Sequence, residues 1–273
     1  MEISNIKVIN KAGITIHISS SPLEGEKVNS IIVESQNKLV IIDVPLLKPY
    51  SKVFRAYADQ LGKPIDRVII THAHPDHWAG LEAFEGLPIY SLLETQEEIQ
   101  ENGEWMLTYH RSLHGDLITD KKIVPEHIVQ EGQLTIDDVE YNAIKVTEAE
   151  YKHLLVLELP KIKTLIAQDM VYNKVYLFLG EITPTGEFSF DNWIEELKKY
   201  KENNYDIVIP GHGESADSSI IDENINYIIE AKNVIKASKN GDEFKNKMLE
   251  KFPDYEVPLM LDMSAYFLYM QNK

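Results

Sequence analysis

Residues 66–80, DRVIITHAHPDHWAG, carry an apolar run straight into His72, His74, Asp76 and His77, three imidazoles and a carboxylate within six positions. Val68 to Thr71 reads as a buried-type strand. His72 and His74 are one residue apart, so in an extended segment their rings project to the same side. Pro75 disfavours helix at the residue before it and turns the chain, swinging Asp76 and His77 toward a second position. An ordinary loop gains nothing from such crowding. Imidazole nitrogen and carboxylate oxygen are the ligands that suit zinc, iron or manganese, so the segment asks for a fold in which other polar loops meet this strand end.

The rest of the chain supplies such loops. ITIHISS (14–20), VNSIIVES (28–35) and KLVIIDV (38–44) read as strands, and YSKVFRAYADQLG (50–62) as a helix stopped by Gly62. Residues 93–114 read as helical, with Gly103 predicting two helices or a kink. LTIDDVEYNAIKVTEAE (134–150), HLLVLELP (153–160) and TLIAQDM (164–170) return to strand, followed by a helix over 188–204 and the strand DIVIPGHG (206–213). From Ile220 onward the chain reads as helices in two or three pieces, broken near FPDYEVP. Helices interspersed between two groups of strands fit two sheets sandwiched by outer helices, an α/β chain folded as one domain over 1–273 with a helical extension from about 220.

Polar groups that packing does not require follow several of these strands: Glu148 and Glu150, then Asp169, then His212. Together with the first segment, THAHPDHWAG, TLIAQDMVYN and DIVIPGHGES resemble the H-x-H-x-D-H hydrolases of the metallo-β-lactamase fold. The resemblance implies a four-layer αββα sandwich and two divalent metal ions. In it His72 and His74 hold the first metal, Asp76, His77 and His212 the second, and Asp169 bridges them. One element departs. The family's third histidine on the first metal is replaced in TEAEYKHLLVLELP, where spacing from Pro160 and Asp169 puts Glu150 at that place, with Glu148 and His153 as alternatives. Gln168 stands where the family has a glycine before the bridging aspartate.

That departure changes the charge. Two divalent cations bring four positive charges, from which a bridging hydroxide, Asp76, Asp169 and Glu150 each remove one, leaving a neutral centre. With histidine at 150 it would be +1. A neutral centre polarises a carbonyl less, and a harder oxygen ligand moves preference from zinc toward manganese or iron. Zinc remains the first expectation, with manganese or iron in reserve or the first position only partly filled.

The implied reaction is hydrolysis of a small-molecule ester, thioester, lactone or lactam by a hydroxide held on the metals, with Asp76 orienting the nucleophile and receiving its proton. The rivals are an iron-dependent redox enzyme of oxygen or sulfur compounds, and a non-catalytic metal-binding or sensory protein. A formal charge of −17 and the absence of a Lys/Arg run argue against nucleic acid as partner. There is no cysteine, hence no thiolate ligand. MEISNIKVINKAG lacks the pattern of an export signal and no apolar run reaches a membrane-span length, so a cytoplasmic protein with no membrane contact is expected. The apolar tail VPLMLDMSAYFLYM packs on its own domain or on a second subunit. His17 and His127 read as structural or exposed, His110 and His114 as packing on a helix face that could cap a pocket. Tyr172 and Tyr176 read as core residues, with donation to an oxyanion as the sharper option.

Overall fold

The computed structural model describes residues 5–183 and 186–270. Backbone packing divides them into two compact units. The first runs to Lys145 and adds Leu155–Lys163; the second holds Val146–Leu154 and the chain from Thr164 on.

The first unit is built on a seven-stranded sheet in simple sequence order, β1 to β7. β1 (Asn5–Lys11) and β2 (Ile14–Ser20) form a hairpin whose two-residue loop has φ of +49° at Ala12 and +85° at Gly13, the turn that matches strand twist. β1 has no buried face, so no apolar pattern predicts it. β3 (Asn29–Glu34) and β4 (Leu39–Ile42) continue antiparallel. The chain then crosses over through α1 (Lys48–Gln60) to the parallel strand β5 (Ile65–Ile70), followed by β6 (Ile89–Ser91) and β7 (His127–Ile128). α1 buries Tyr50, Phe54 and Ala58 at helical spacing, which is why it reads correctly from sequence.

A short helix, α2 (Pro75–Trp78), follows β5. α3 (Leu93–His114) is continuous, correcting the interruption predicted at Gly103. A Cβ there would come within 2.9 Å of Lys122 Cδ and 3.2 Å of Trp78 Cη2, so the glycine serves close packing and does not break the helix. The single strand run predicted over 134–150 is also corrected. It is a hairpin of β8 (Gly132–Ile136) and β9 (Val139–Thr147), turning at Asp137 with φ of +54°. Asp137 holds that turn in place by accepting from Ser35 Oγ at 2.8 Å and Asn37 Nδ2 at 3.0 Å.

β8 and β9 pair antiparallel and are followed in the chain by β10 (His153–Leu159), β11 (Thr164–Tyr172) and β12 (Ile207–His212). In the second unit β11 and β12 are parallel, with α4 (Phe190–Lys201) between them in sequence. Every residue of β11 is buried, so its sequence shows no alternation of apolar and polar faces. The tail is three helices, α5 (Ser219–Ala237), α6 (Gly241–Lys251) and α7 (Leu259–Met270), broken at the predicted FPDYEVP. It folds back within its own unit: Tyr176 OH donates to Phe252 O at 2.7 Å, and Ser264 Oγ accepts from Leu179 N at 2.9 Å. Among the described residues no helix is long and apolar enough to cross a membrane.

Candidate metal centre

In the first unit the parallel strands β4 and β5 end side by side, and the groups beyond their ends are Asp43 and Thr71 to His77. Asp43 is fully buried and adopts φ of +55°, a conformation aspartate tolerates better than most residues. Its Oδ1 accepts from Thr71 N at 2.8 Å; its Oδ2 accepts from Thr71 Oγ1 at 2.7 Å and from His77 Nδ1 at 2.8 Å. Burial pushes the Asp43 carboxyl up, while His77 and Thr71 pull it back down.

These bonds set two tautomers. The Thr71 hydroxyl has one proton and gives it to Asp43, so at 3.1 Å it accepts from His72 Nδ1. With both Nδ1 atoms protonated, His72 and His77 turn Nε2 lone pairs outward, as a metal ligand must. His72 Nε2 lies 3.0 Å from His74 Nδ1, and His77 Nε2 lies 3.4 Å from Asp76 Oδ2. Two ligands at about 2.05 Å from one tetrahedral cation stand roughly 3.3 Å apart, so both pairs have the spacing of donors sharing an ion. α2 opens at Pro75, and Trp78 anchors it by donating from Nε1 to Ala73 O at 2.9 Å.

Asp43 was not among the residues singled out from sequence. Its only signal is a carboxylate directly after the apolar run LVII with no turn residue to explain it. Replacing Asp43 with Asn keeps a residue that tolerates positive φ but removes the charge holding His77 and Thr71. Metal affinity should fall by roughly 10–100-fold, the usual cost of losing a group that orients a ligand. Competition with a chromophoric chelator reads this directly, and unchanged affinity would remove Asp43 from the centre.

The second unit carries the remaining predicted ligands. Glu150 is 1% exposed, whereas Glu148 is exposed with φ of +52°. Neither Glu148 nor His153 belongs to a group of metal-type donors among the described residues. The backbone before Glu150 is pinned by α4: Ser189 Oγ donates to Ala149 O, and Asn192 Nδ2 donates to Thr147 O and Glu148 O at 2.8 Å. Asp169 lies where the register of β11 against β12 shifts, a bulge that re-aims a side chain. Gln168 takes φ of +46° there, the left-handed backbone that favours the glycine it replaces. A Cβ at position 211 would stand 1.8 Å from Asp169 Oδ1, so Gly211 makes room for the carboxylate.

Tyr172 OH is within hydrogen-bond reach of both Asp169 Oδ2 at 2.9 Å and Glu150 Oε1 at 3.1 Å, and its backbone is clamped by Asn224, whose amide both accepts from Tyr172 N and donates to Tyr172 O. One phenolic hydroxyl serves two buried carboxylates, oxygen donors of the kind that suit a divalent cation. The structure thus turns Tyr172 toward the carboxylates. His212 Nε2 lies 3.4 Å from Asp169 Oδ2, again the spacing of donors on one ion, with its ring stacked on Tyr172 at 4.9 Å and 6°. The donor sets of both units fit divalent cations. His17 is structural, its nitrogens engaged by Tyr57 OH and Glu34; His127 stacks on Tyr90.

The comparisons agree with this chemistry. Residues 23–212, well over half of the chain, match the Metallo-beta-lactamase superfamily. Over 225 residues the chain is 26% identical to a metallo-beta-lactamase type 2 of Bacillus cereus, covering 80% of this chain and 79% of that protein. It is 31% identical over 103 residues to the uncharacterized protein YobT of Bacillus subtilis; that match spans 37% of this chain and 42% of the relative's length. The fold is shared with the metallo-beta-lactamase from Pontibacter korlensis at a TM-score of 0.63 and 18% identity, over 82% of this chain and 99% of that one. It is shared as well with a metallo-beta-lactamase from Hirschia baltica at 0.58 and 17%, over 82% and 97%. The α/β fold expected from the sequence is therefore the fold found, and the chain belongs to the metallo-beta-lactamase superfamily.

Proposed function

We propose that the chain is a metal-dependent hydrolase of a small molecule bearing an ester, thioester, lactone or lactam carbonyl. The observation that carries this reading is the recurrence of one spacing. His72 with His74, Asp76 with His77, and Asp169 with His212 each set two donor atoms 3.0–3.4 Å apart. By the family resemblance, His72, His74 and Glu150 would hold a first cation, Asp76, His77 and His212 a second, and Asp169 would serve both. Zinc is the expected cation, with manganese or iron as alternatives. When bound, such cations polarise a carbonyl and lower the pKa of a water.

The residues of the chain do the rest. Asp43 fixes the tautomers of His72 and His77 before any ligand arrives. Asp76, whose Oδ2 faces His77 Nε2 at 3.4 Å, orients the attacking water and takes its proton. Tyr172 OH keeps Glu150 and Asp169 in place. Six of the seven proposed ligands are buried and His74 is half-buried, so the charges act in a low dielectric with little competing water.

The test is a kinetic panel of esters, thioesters, lactones and lactams, run on protein loaded in turn with zinc, manganese and iron, with metal content counted for each. Turnover should exceed that of an Asp169→Ala variant by at least about 10²-fold on one class. No turnover above that variant, in protein carrying two cations per chain, would refute the hydrolase reading. Coloured iron-loaded protein that consumes oxygen would replace it with the redox one.

A further inference from the structure

Another group of metal-type donors lies in the first unit, outside the strand-end loops. Glu26, His110 and His114 each turn one ligand atom to within 4.8 Å of the other two. His110 and His114 are four residues apart on α3, which puts both imidazoles on one helix face. Their rings lie parallel, 6.3 Å apart with 10° between planes. Glu26 follows the 3-10 turn Leu23–Gly25 with φ of +63°, and the next residue, Lys27, has φ of +56°. Two successive left-handed residues turn the Glu26 side chain inward, where the residue is 2% exposed.

The His114 Nε2 to Glu26 Oε1 separation of 3.8 Å is too long for a hydrogen bond. His110 Nδ1 and His114 Nε2 are buried and make no hydrogen bond among the described residues. His110 itself is 5% exposed. Buried polar atoms are almost always partnered, so these two nitrogens, turned toward each other beside a buried carboxylate, point to an ion that accepts their lone pairs.

We propose that Glu26, His110 and His114 form a third divalent-cation site, zinc by preference. Two imidazoles and one carboxylate are a known three-ligand set for zinc, and they leave the fourth position open to water or to a donor atom of a bound molecule. A cation there would tie the turn at 23–26 to α3, joining two segments that are far apart in sequence. The site is independent of the hydrolase reading, because it uses none of the residues assigned to the dinuclear centre.

Metal counting tests it without reference to activity. Full-length wild type, His114→Ala, Glu26→Gln and Asp169→Ala are dialysed to equilibrium against buffered zinc, and bound zinc per chain is measured by mass spectrometry. His114→Ala and Glu26→Gln should each carry one zinc fewer than wild type. Adding His114→Ala to Asp169→Ala should remove one more zinc than Asp169→Ala alone. Cobalt substituted for zinc gives a second reading, since the visible absorption of the third ion should vanish in Glu26→Gln, a near-isosteric change that spares the fold if His114→Ala does not. Equal zinc content in wild type and Glu26→Gln overturns the proposal, as does an unchanged cobalt spectrum.

Discussion

Replacing Asp76 with Asn should lower kcat on the best substrate of the panel by about 10²–10⁴-fold, the range for loss of a positioned proton acceptor. The residue is 6% exposed, and its Oδ2 faces His77 Nε2 at 3.4 Å, so an isosteric amide keeps the volume and the polar contact. It has no charge with which to take a proton. The melting temperature should therefore move by no more than a few degrees, because no buried group loses its packing. Steady-state kinetics with metal content counted on the same sample separates loss of proton transfer from loss of the ion. An unchanged kcat would remove Asp76 from the chemistry, while a fall in metal content matching the fall in rate would make it a ligand only.

The second large effect is expected from Glu150→His. This change restores the ligand type that the family carries at that place and takes the proposed centre from neutral to a charge of +1. Imidazole is the softer donor, so preference for zinc over manganese should rise by about an order of magnitude or more. Turnover with zinc should rise with it, since a more positive centre polarises a carbonyl more strongly. The substitution also relieves a local conflict, because Glu150 and Asp169 draw on the same Tyr172 proton at 3.1 and 2.9 Å. Competition between zinc and manganese, read as bound metal at equal free concentrations, checks the selectivity. If the ratio matches that of the unchanged protein, Glu150 is not a ligand of the first metal.

Several of the proposed ligands could be named as candidates from the sequence for a simple reason. His72, His74, Asp76 and His77 lie within one turn of chain, where backbone geometry alone keeps donors close. Asp169 and His212 stood out as candidates because each is a polar group close behind an apolar run, although the structure places both within their strands. Glu150 over Glu148 and His153 rested on spacing, and burial within its own unit then separated the first two. Tyr172 stood open between core and oxyanion roles until the structure showed its hydroxyl turned to two carboxylates.

Other features needed three dimensions. Asp43 lies about thirty residues before the histidines it orients, and an aspartate after a strand is too common to mark itself. Glu26 is farther still from His110 and His114. Gly103 has the same letter whether it breaks a helix or lets Trp78 approach one, and only the packing distances decide. By itself the sequence determined the short-range facts: strand and helix periods, the ligand types, and the crowding in one tight turn. The tertiary structure alone decided which distant carboxylates face which imidazoles, because hydrogen bonds and ion contacts depend on separations of a few ångströms that chain spacing does not encode.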